Sequence, residues 1–227
     1  MSLLNIKALR KSFTTPEGAR AEIVRIESFM LAAKSECALR GESGSGKTTF
    51  LNLIAGILQA DSGSVQIDGA ELTGLSEARR DRFRATTMGY IFQSFNLLQG
   101  FTCLENVLLG MSFGPGADRA VARGLLERVG LGHRLDYYPR QLSTGQQQRV
   151  SVARALANQP RLVLADEPTG NLDVKNAAES LELIRATCRE QGAALLLVSH
   201  DPKVLANFGA VQDFSTLNRP VSDEVRV

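Results

Sequence analysis

The chain has little that ties it to an oxidising compartment or to the interior of a membrane. Of its 227 residues only three are cysteines, Cys37, Cys103 and Cys188. A small, odd and widely spaced set builds neither a disulfide framework nor a metal site, so they read as reduced, buried thiols of a cytosolic protein. Long hydrophobic runs are missing as well. The apolar stretch 193–198 is far short of the roughly 18 residues that a membrane-crossing helix needs. The first residues carry no charged segment followed by an apolar one, so no secretory leader is expected. A water-soluble chain is implied, with any membrane contact made through a partner. An excess of one charge is also lacking: 26 Lys and Arg against 24 Asp and Glu leave a formal net charge of +2. Charge therefore gives no argument for nucleic acid or for an acidic partner. No internal repeat and no low-complexity tract is visible.

What is present is ordinary globular composition, 44% hydrophobic and 22% charged, over a length that suits one domain or one domain with an inserted subdomain. Residues 6–13 and 21–29, separated by Pro16 and Gly18, read as antiparallel strands. A short strand at 37–39 feeds a glycine-rich loop, and a helix follows over 48–56 on the spacing of Phe50, Leu51, Ile54 and Ala55. A strand at 63–68, a polar helix at 75–84 and a strand at 88–92 come next. From residue 94 to about 159 the signal is helical only, over 102–109, 119–129 and 144–157. Strands return at 162–165 and 194–198, on either side of a helix at 176–190. Short apolar runs alternating with helices indicate a parallel sheet covered on both faces. One more helix is expected after His200, then a loosely ordered tail over 220–227.

The glycine-rich loop is Gly41-Glu42-Ser43-Gly44-Ser45-Gly46-Lys47-Thr48. The pattern Gly-x4-Gly-Lys-Thr lets backbone N–H groups close around an anion with no side chain in the way. The helix behind it directs its positive end to the same place. Lys47 can bridge the β- and γ-phosphates of a nucleotide, the Thr48 hydroxyl can hold Mg²⁺, and Thr49 can reach the α-phosphate. A second acidic site closes the run Leu162-Val163-Leu164-Ala165-Asp166-Glu167. Downstream of a phosphate loop, Asp166 suits the metal, directly or through water, and Glu167 suits activation of the attacking water.

Leu142-Ser143-Thr144-Gly145-Gln146-Gln147-Gln148-Arg149 resembles the signature sequence of ABC-type ATPases. With the phosphate loop, Asp166-Glu167, Gln93, Asn171-Leu172-Asp173 and His200 in family order, the resemblance covers nearly the whole chain. Residues 92–98, Glu105-Asn106-Val107 and Glu167 to Asp173 are similar to the branch serving lipoprotein release, macrolide export and FtsE-type cell-division complexes. The resemblance implies an α/β P-loop NTPase fold with a mostly parallel core sheet, an N-terminal antiparallel β subdomain and an inserted α-helical subdomain. It implies a single ABC ATPase domain over 1–227, with a core of 1–93 and 160–227 and a helical signature subdomain at about 94–159.

The same resemblance implies roles. Phe13 stacks on adenine. Gln93 touches Mg²⁺ and the water and begins the surface, Gln93 to Leu98, that grips a separate membrane permease. Ser143, Gly145 and Gln146 cap the nucleotide of a second, head-to-tail copy. Asp173 links the two sites, and His200 holds the γ-phosphate. Two chains then sandwich two ATP on the cytoplasmic face of the cell membrane, driving export, lipoprotein or lipid extraction, or force transmission, without nucleic acid. Ser143 as a helix N-cap agrees with this physically, because free N–H groups behind it suit an anion. Alone, each residue has a plainer reading: Phe13 as core, Gln93 as a polar strand end, Ser143 as a simple cap, His200 as a turn residue and His133 as surface. Thr144 stands where the family usually has glycine, Phe13 replaces a tyrosine, Ser35 replaces a turn glycine, and 208–219 matches the family's final strands poorly. The alternatives are a soluble ABC ATPase acting on ribosomes or DNA, and a regulatory ATP-binding module with weak hydrolysis.

Overall fold

The computed structural model describes residues 2–16 and 18–220. β1 (Ser2–Thr14) and β2 (Arg20–Ala32) form a long antiparallel hairpin. β3 (Glu36–Arg40) leads to α1 (Lys47–Ile54), then come β4 (Ser62–Ile67), β5 (Ala70–Glu71), α2 (Glu77–Thr87) and β6 (Met88–Ile91). α3 (Cys103–Ser112), α4 (Arg119–Arg128) and α5 (Thr144–Ala155) follow, with two 3-10 turns between the last two. β7 (Leu162–Asp166), α6 (Val174–Gln191), β8 (Ala194–Ser199), α7 (Pro202–Leu205), β9 (Val211–Asp213) and α8 (Phe214–Leu217) complete the described chain.

The strands make two sheets. One is antiparallel in the order β2-β1-β4-β5, the other runs β6-β7-β8-β3-β9 with every pairing parallel. Strand alternation divides the core. Leu162, Leu164, Leu196, Val198, Cys37 and Leu39 face a cluster shared with the antiparallel sheet and α1. Val163, Ala165, Leu195, Leu197 and Ala38 face α5, α6 and α7. A third cluster joins α3, α4 and α5 through Val107, Leu126 and Val150. The expected α/β architecture is the one observed: burial on both faces is what makes β7 and β8 continuous apolar runs.

The C-terminal part differs from the expectation of one helix and a tail. After α7 the chain adds β9 beside β3 and the short α8. Val211 and Gln212 are exposed on this edge, so the strand carries no alternation to read, and a four-residue helix is too short to show a period. The tail expected at 220–227 lies outside the described residues beyond Pro220. The other bounds shift by a few residues, as where α1 begins at Lys47 rather than Thr48. All three cysteines are buried and unbridged.

Phe50 is the centre of the first cluster. It meets Phe29 edge-on at 5.7 Å and Phe214 at 5.6 Å. Phe50→Ala should lower unfolding free energy by about 3–5 kcal/mol in a urea titration. A loss under about 1 kcal/mol would mean the surrounding rings close the gap.

Candidate functional site

β3 leaves the parallel sheet at Arg40, and the loop from Gly41 turns the chain into α1. Gly46 makes that turn at φ 97, and a Cβ there would lie 3.0 Å from the Ile23 carbonyl oxygen. A Cβ on Gly41 would fall 3.1 Å from Ser45 Oγ and 3.3 Å from Lys47 Cδ, filling the cradle. Helix α1 starts with no side-chain cap, so its first N–H groups stay available to an anion. Lys47 is only 6% exposed. Its Nζ donates to the carbonyl oxygens of Gly41 at 2.7 Å and Glu42 at 2.6 Å. Ser45 Oγ is buried without a protein partner. Buried donors around a glycine cradle fit a polyphosphate.

β3 and β7 flank β8 in parallel, so their C-terminal ends open on the same side of the sheet. Asp166 is therefore delivered beside Thr48. Its carboxyl is pushed above its ordinary value of 3.8, first by burial; the Glu167 charge adds to the rise, while the Thr48 hydrogen bond and the Lys47 charge oppose it. Thr48 Oγ1, the Asp166 carboxylate and the Gln93 amide offer hard oxygen donors of the kind Mg²⁺ takes alongside phosphate. Glu167 sits in left-handed backbone at φ 43, and its N–H donates to Val198 O at 3.1 Å. Its Oε2 accepts from Ser199 Oγ at 3.0 Å. Its Oε1 accepts the His200 backbone N–H at 3.0 Å and lies 2.7 Å from His200 Nδ1. An ionised carboxylate only accepts, so the Nδ1 facing it carries the proton.

One cleft of about 240 Å³ brings together Ser43, Gly44, Gly46, Lys47, Thr48, Thr49, Gln93, Asp166, Glu167 and His200. Gly41, Glu42 and Ser45 line an adjoining cavity of about 510 Å³ that shares His200. Phe13 is not among the lining residues of either. It lies on the hairpin whose Ile23 lines the cleft, and its 40% exposure removes the reading of a core aromatic. Ser143, Gly145 and Gln146 also line neither. Ser143 and Gln146 form a reciprocal cap at the start of α5, with Ser143 Oγ accepting from Gln146 N at 3.3 Å and Gln146 Oε1 from Ser143 N at 3.1 Å. A Cβ on Gly145 would come 2.9 Å from Asn176 Oδ1. Asn176 is in turn held by Asp173, the N-cap of α6, whose Oδ1 accepts the Asn176 N–H at 3.0 Å. That hydrogen bond is also the main reason the Asp173 carboxyl sits below its ordinary range.

Two contributors were not singled out from the sequence, and a third was quoted there only as part of a motif. Ser199 braces Glu167; its only signal was a polar residue closing the buried run before His200. Asn171 Nδ2 donates to the Gln93 carbonyl at 2.7 Å, linking two quoted motifs. Ile23 reaches the cleft from a strand whose sequence reads as simple hairpin.

Residues 25–170 match the ABC transporter family. The chain belongs to that family. It is 42% identical over 208 residues to the lipoprotein-releasing system ATP-binding protein LolD of Shewanella oneidensis, covering 90% of each chain. It is 40% identical to the macrolide export ATP-binding/permease protein MacB of Syntrophobacter fumaroxidans, over 90% of this chain and 29% of that longer one. A solved dimeric structure of the ATP-binding cassette MJ0796, in a post-hydrolysis state bound to ADP and Pi, superposes with a TM-score of 0.85 at 31% identity, covering 96% of this chain and 97% of that one. The cassette is thus an ATP-binding and ATP-hydrolysing subunit of an ABC transporter, with the P-loop fold its motifs implied.

The raised Asp166 carboxyl predicts a pH effect. Between the ordinary value of 3.8 and the higher folded value, the folded state binds more protons than the unfolded one, so stability falls as pH rises through that window. Asp166→Asn removes this slope. The nucleotide-free variant should unfold at a higher urea concentration than wild type at pH 8, and an equal or lower midpoint would show that burial is not the controlling cost.

Proposed function

We propose that two copies of this chain close head-to-tail around two ATP, and that closing and opening drive a separate membrane permease. The observation that carries this reading is the separation within one chain. Lys47, Asp166, Glu167 and His200 share a cleft, whereas the Ser143–Gln146 cap stands exposed on another element. A second copy brings the two together, and the dimeric form of the similar cassette MJ0796 supports it.

In this reading the core is 1–93 and 160–227, and the arm is 94–159. Backbone N–H groups of the loop and the Lys47 ammonium hold the phosphates, Thr49 reaches the α-phosphate, and Phe13 stacks on the base at the cleft rim. Thr48, Asp166 and Gln93 would hold Mg²⁺, which when bound would offset the negative charge of the nucleotide phosphates. Glu167 takes the proton of the attacking water, and His200, hydrogen-bonded to that carboxylate, contacts the γ-phosphate and reports its departure. Ser143, Gly145 and Gln146 of the other copy cap the same phosphate from the positive end of α5. Asp173 connects this cap to the cleft through Asn176.

Membrane coupling is read from the segment Gln93 to Leu98. Phe95 and Asn96 take left-handed backbone, φ 58 and 49, and Arg154 of α5 donates to both of their carbonyl oxygens, at 2.7 and 2.5 Å. Arg154 and Phe92 also line a groove of about 670 Å³ with Phe113. A permease helix seated there would press on Gln93 and on the cap helix together. Among the described residues no helix is long and apolar enough to cross a membrane; in this reading the cassette works at the cytoplasmic face through that partner. LolD and MacB, by name, act in lipoprotein release and macrolide export; export, lipoprotein or lipid extraction, or force transmission is the output in this reading.

Glu167→Gln should cut hydrolysis by about 100-fold or more while leaving ATP binding, and should shift the protein to an ATP-dependent dimer in light scattering. A variant that turns over normally removes Glu167 from the mechanism, and one that binds ATP as a monomer removes the shared site. Thr144→Gly should keep or raise turnover in the same assay; a large loss would give the threonine hydroxyl a role of its own.

A further inference from the structure

The C-terminal segment runs alongside the phosphate loop step for step. Asp213 pairs with Arg40, at the end of β3, through a 2.8 Å ion pair and in strand register. Phe214, fully buried, places its Cβ 3.2 Å from where a Cβ on Gly41 would stand. Asn218 reaches Ser45. Three successive points of the loop are thus touched by three successive points of one brace.

Asn218 does more than touch. It is 7% exposed, and each of its hydrogen-bonding groups is used. Oδ1 accepts the Arg25 N–H at 2.7 Å, while Nδ2 donates to Ile23 O at 2.9 Å and to Ser45 O at 3.2 Å. One N–H donor and two carbonyl acceptors allow only this orientation of the amide. β2 is the edge strand of the antiparallel sheet, and Asn218 bridges to it at Ile26 while Arg219 N donates to Arg25 O at 3.0 Å. The same side chain therefore holds the free edge of β2, whose Ile23 lines the cleft, and a carbonyl of the loop that cradles phosphate.

We infer that Asn218 is a positioning residue that sets the spacing between the β2 wall of the nucleotide cleft and the phosphate loop, and so governs nucleotide affinity rather than turnover. ATP must contact both walls at once, so their spacing is part of its binding energy. The chemical step depends on Glu167 and His200, at the ends of β7 and β8, which Asn218 does not contact. The inference rests on ATP binding in this cleft.

The test compares wild type with Asn218→Ala and Asn218→Asp. Alanine removes all three hydrogen bonds. Aspartate keeps the size and the acceptor for Arg25 but sets a carboxylate oxygen against Ile23 O and Ser45 O. The KM for ATP and the Kd for ADP should rise about tenfold in both, with kcat within about twofold of wild type, the pattern of lost uniform binding. A merely structural role would lower the melting temperature and leave KM of the folded protein unchanged, and that result overturns the inference. Should neither variant fold, the wild-type chain decides by amide exchange. ADP binding should slow exchange at the Arg25 amide, which donates to Asn218 Oδ1, more than at Phe29 further along the same strand. Equal effects at the two overturn it. Wild type that fails to bind ADP would instead overturn the reading of the cleft.

Discussion

A lysine ammonium with almost no access to solvent is held by two carbonyl oxygens of its own loop, and the architecture around it serves that arrangement. A buried cation is costly unless it is hydrogen-bonded and faces opposite charge. Lys47 has Gly41 and Glu42 as acceptors, and its charge opposes the rise in the Asp166 carboxyl. That pairing requires the ends of β3 and β7 to open on one side of the sheet, which only a parallel order around β8 supplies. It requires a loop tight enough to fold its carbonyls inward, which is why a Cβ on Gly41 or Gly46 would crowd its neighbours. Phosphate oxygens offer the ammonium a stronger partner than carbonyls do, so the loop is built to exchange one set of acceptors for another.

Glu167 and His200 form the second constraint. The carboxylate accepts from Ser199, from the His200 backbone and from the His200 ring. Base and sensor are thus one hydrogen-bonded unit, fixed at the ends of two adjacent strands. Asp173 likewise holds Asn176 at the start of α6, where Asn176 packs close to Gly145 of the cap. The cassette consists of a few such rigid pairs, and motion between them, rather than within them, is what coupling to a partner can use.

Much of this was legible in the sequence, for physical reasons. β7 and β8 are buried on both faces and so are uniformly apolar; the phosphate loop needs glycines at fixed spacing; Ser143 caps a helix in a recognisable way. A parallel sheet, and an acidic strand end able to lie beside the phosphate loop, followed; the strand order β6-β7-β8-β3-β9 did not. Other parts were illegible for equally physical reasons. β9 has three residues on an exposed edge, and α8 is a single turn, so neither carries a period. The importance of Ser199, Ile23 and Asn218 lies in hydrogen bonds and proximity across long stretches of chain, which residue type does not encode. The amide of Asn218 meets residues 173 to 195 positions away.

The left-handed backbone at Phe95, Asn96 and Glu167 sets a boundary for protein engineering. Such conformations strain residues other than glycine, and asparagine least. A search for hardier variants would gain little at Asn96, where the tolerated residue already stands, and would lose at Phe95, whose ring is buried in the third cluster and costs more to remove than its backbone strain returns. At Glu167 glycine would relieve the backbone but give up the hydrogen bonds to Ser199 and His200, and would leave the cleft without its base. Selection for heat resistance alone, without an activity screen, would not register the loss of that base.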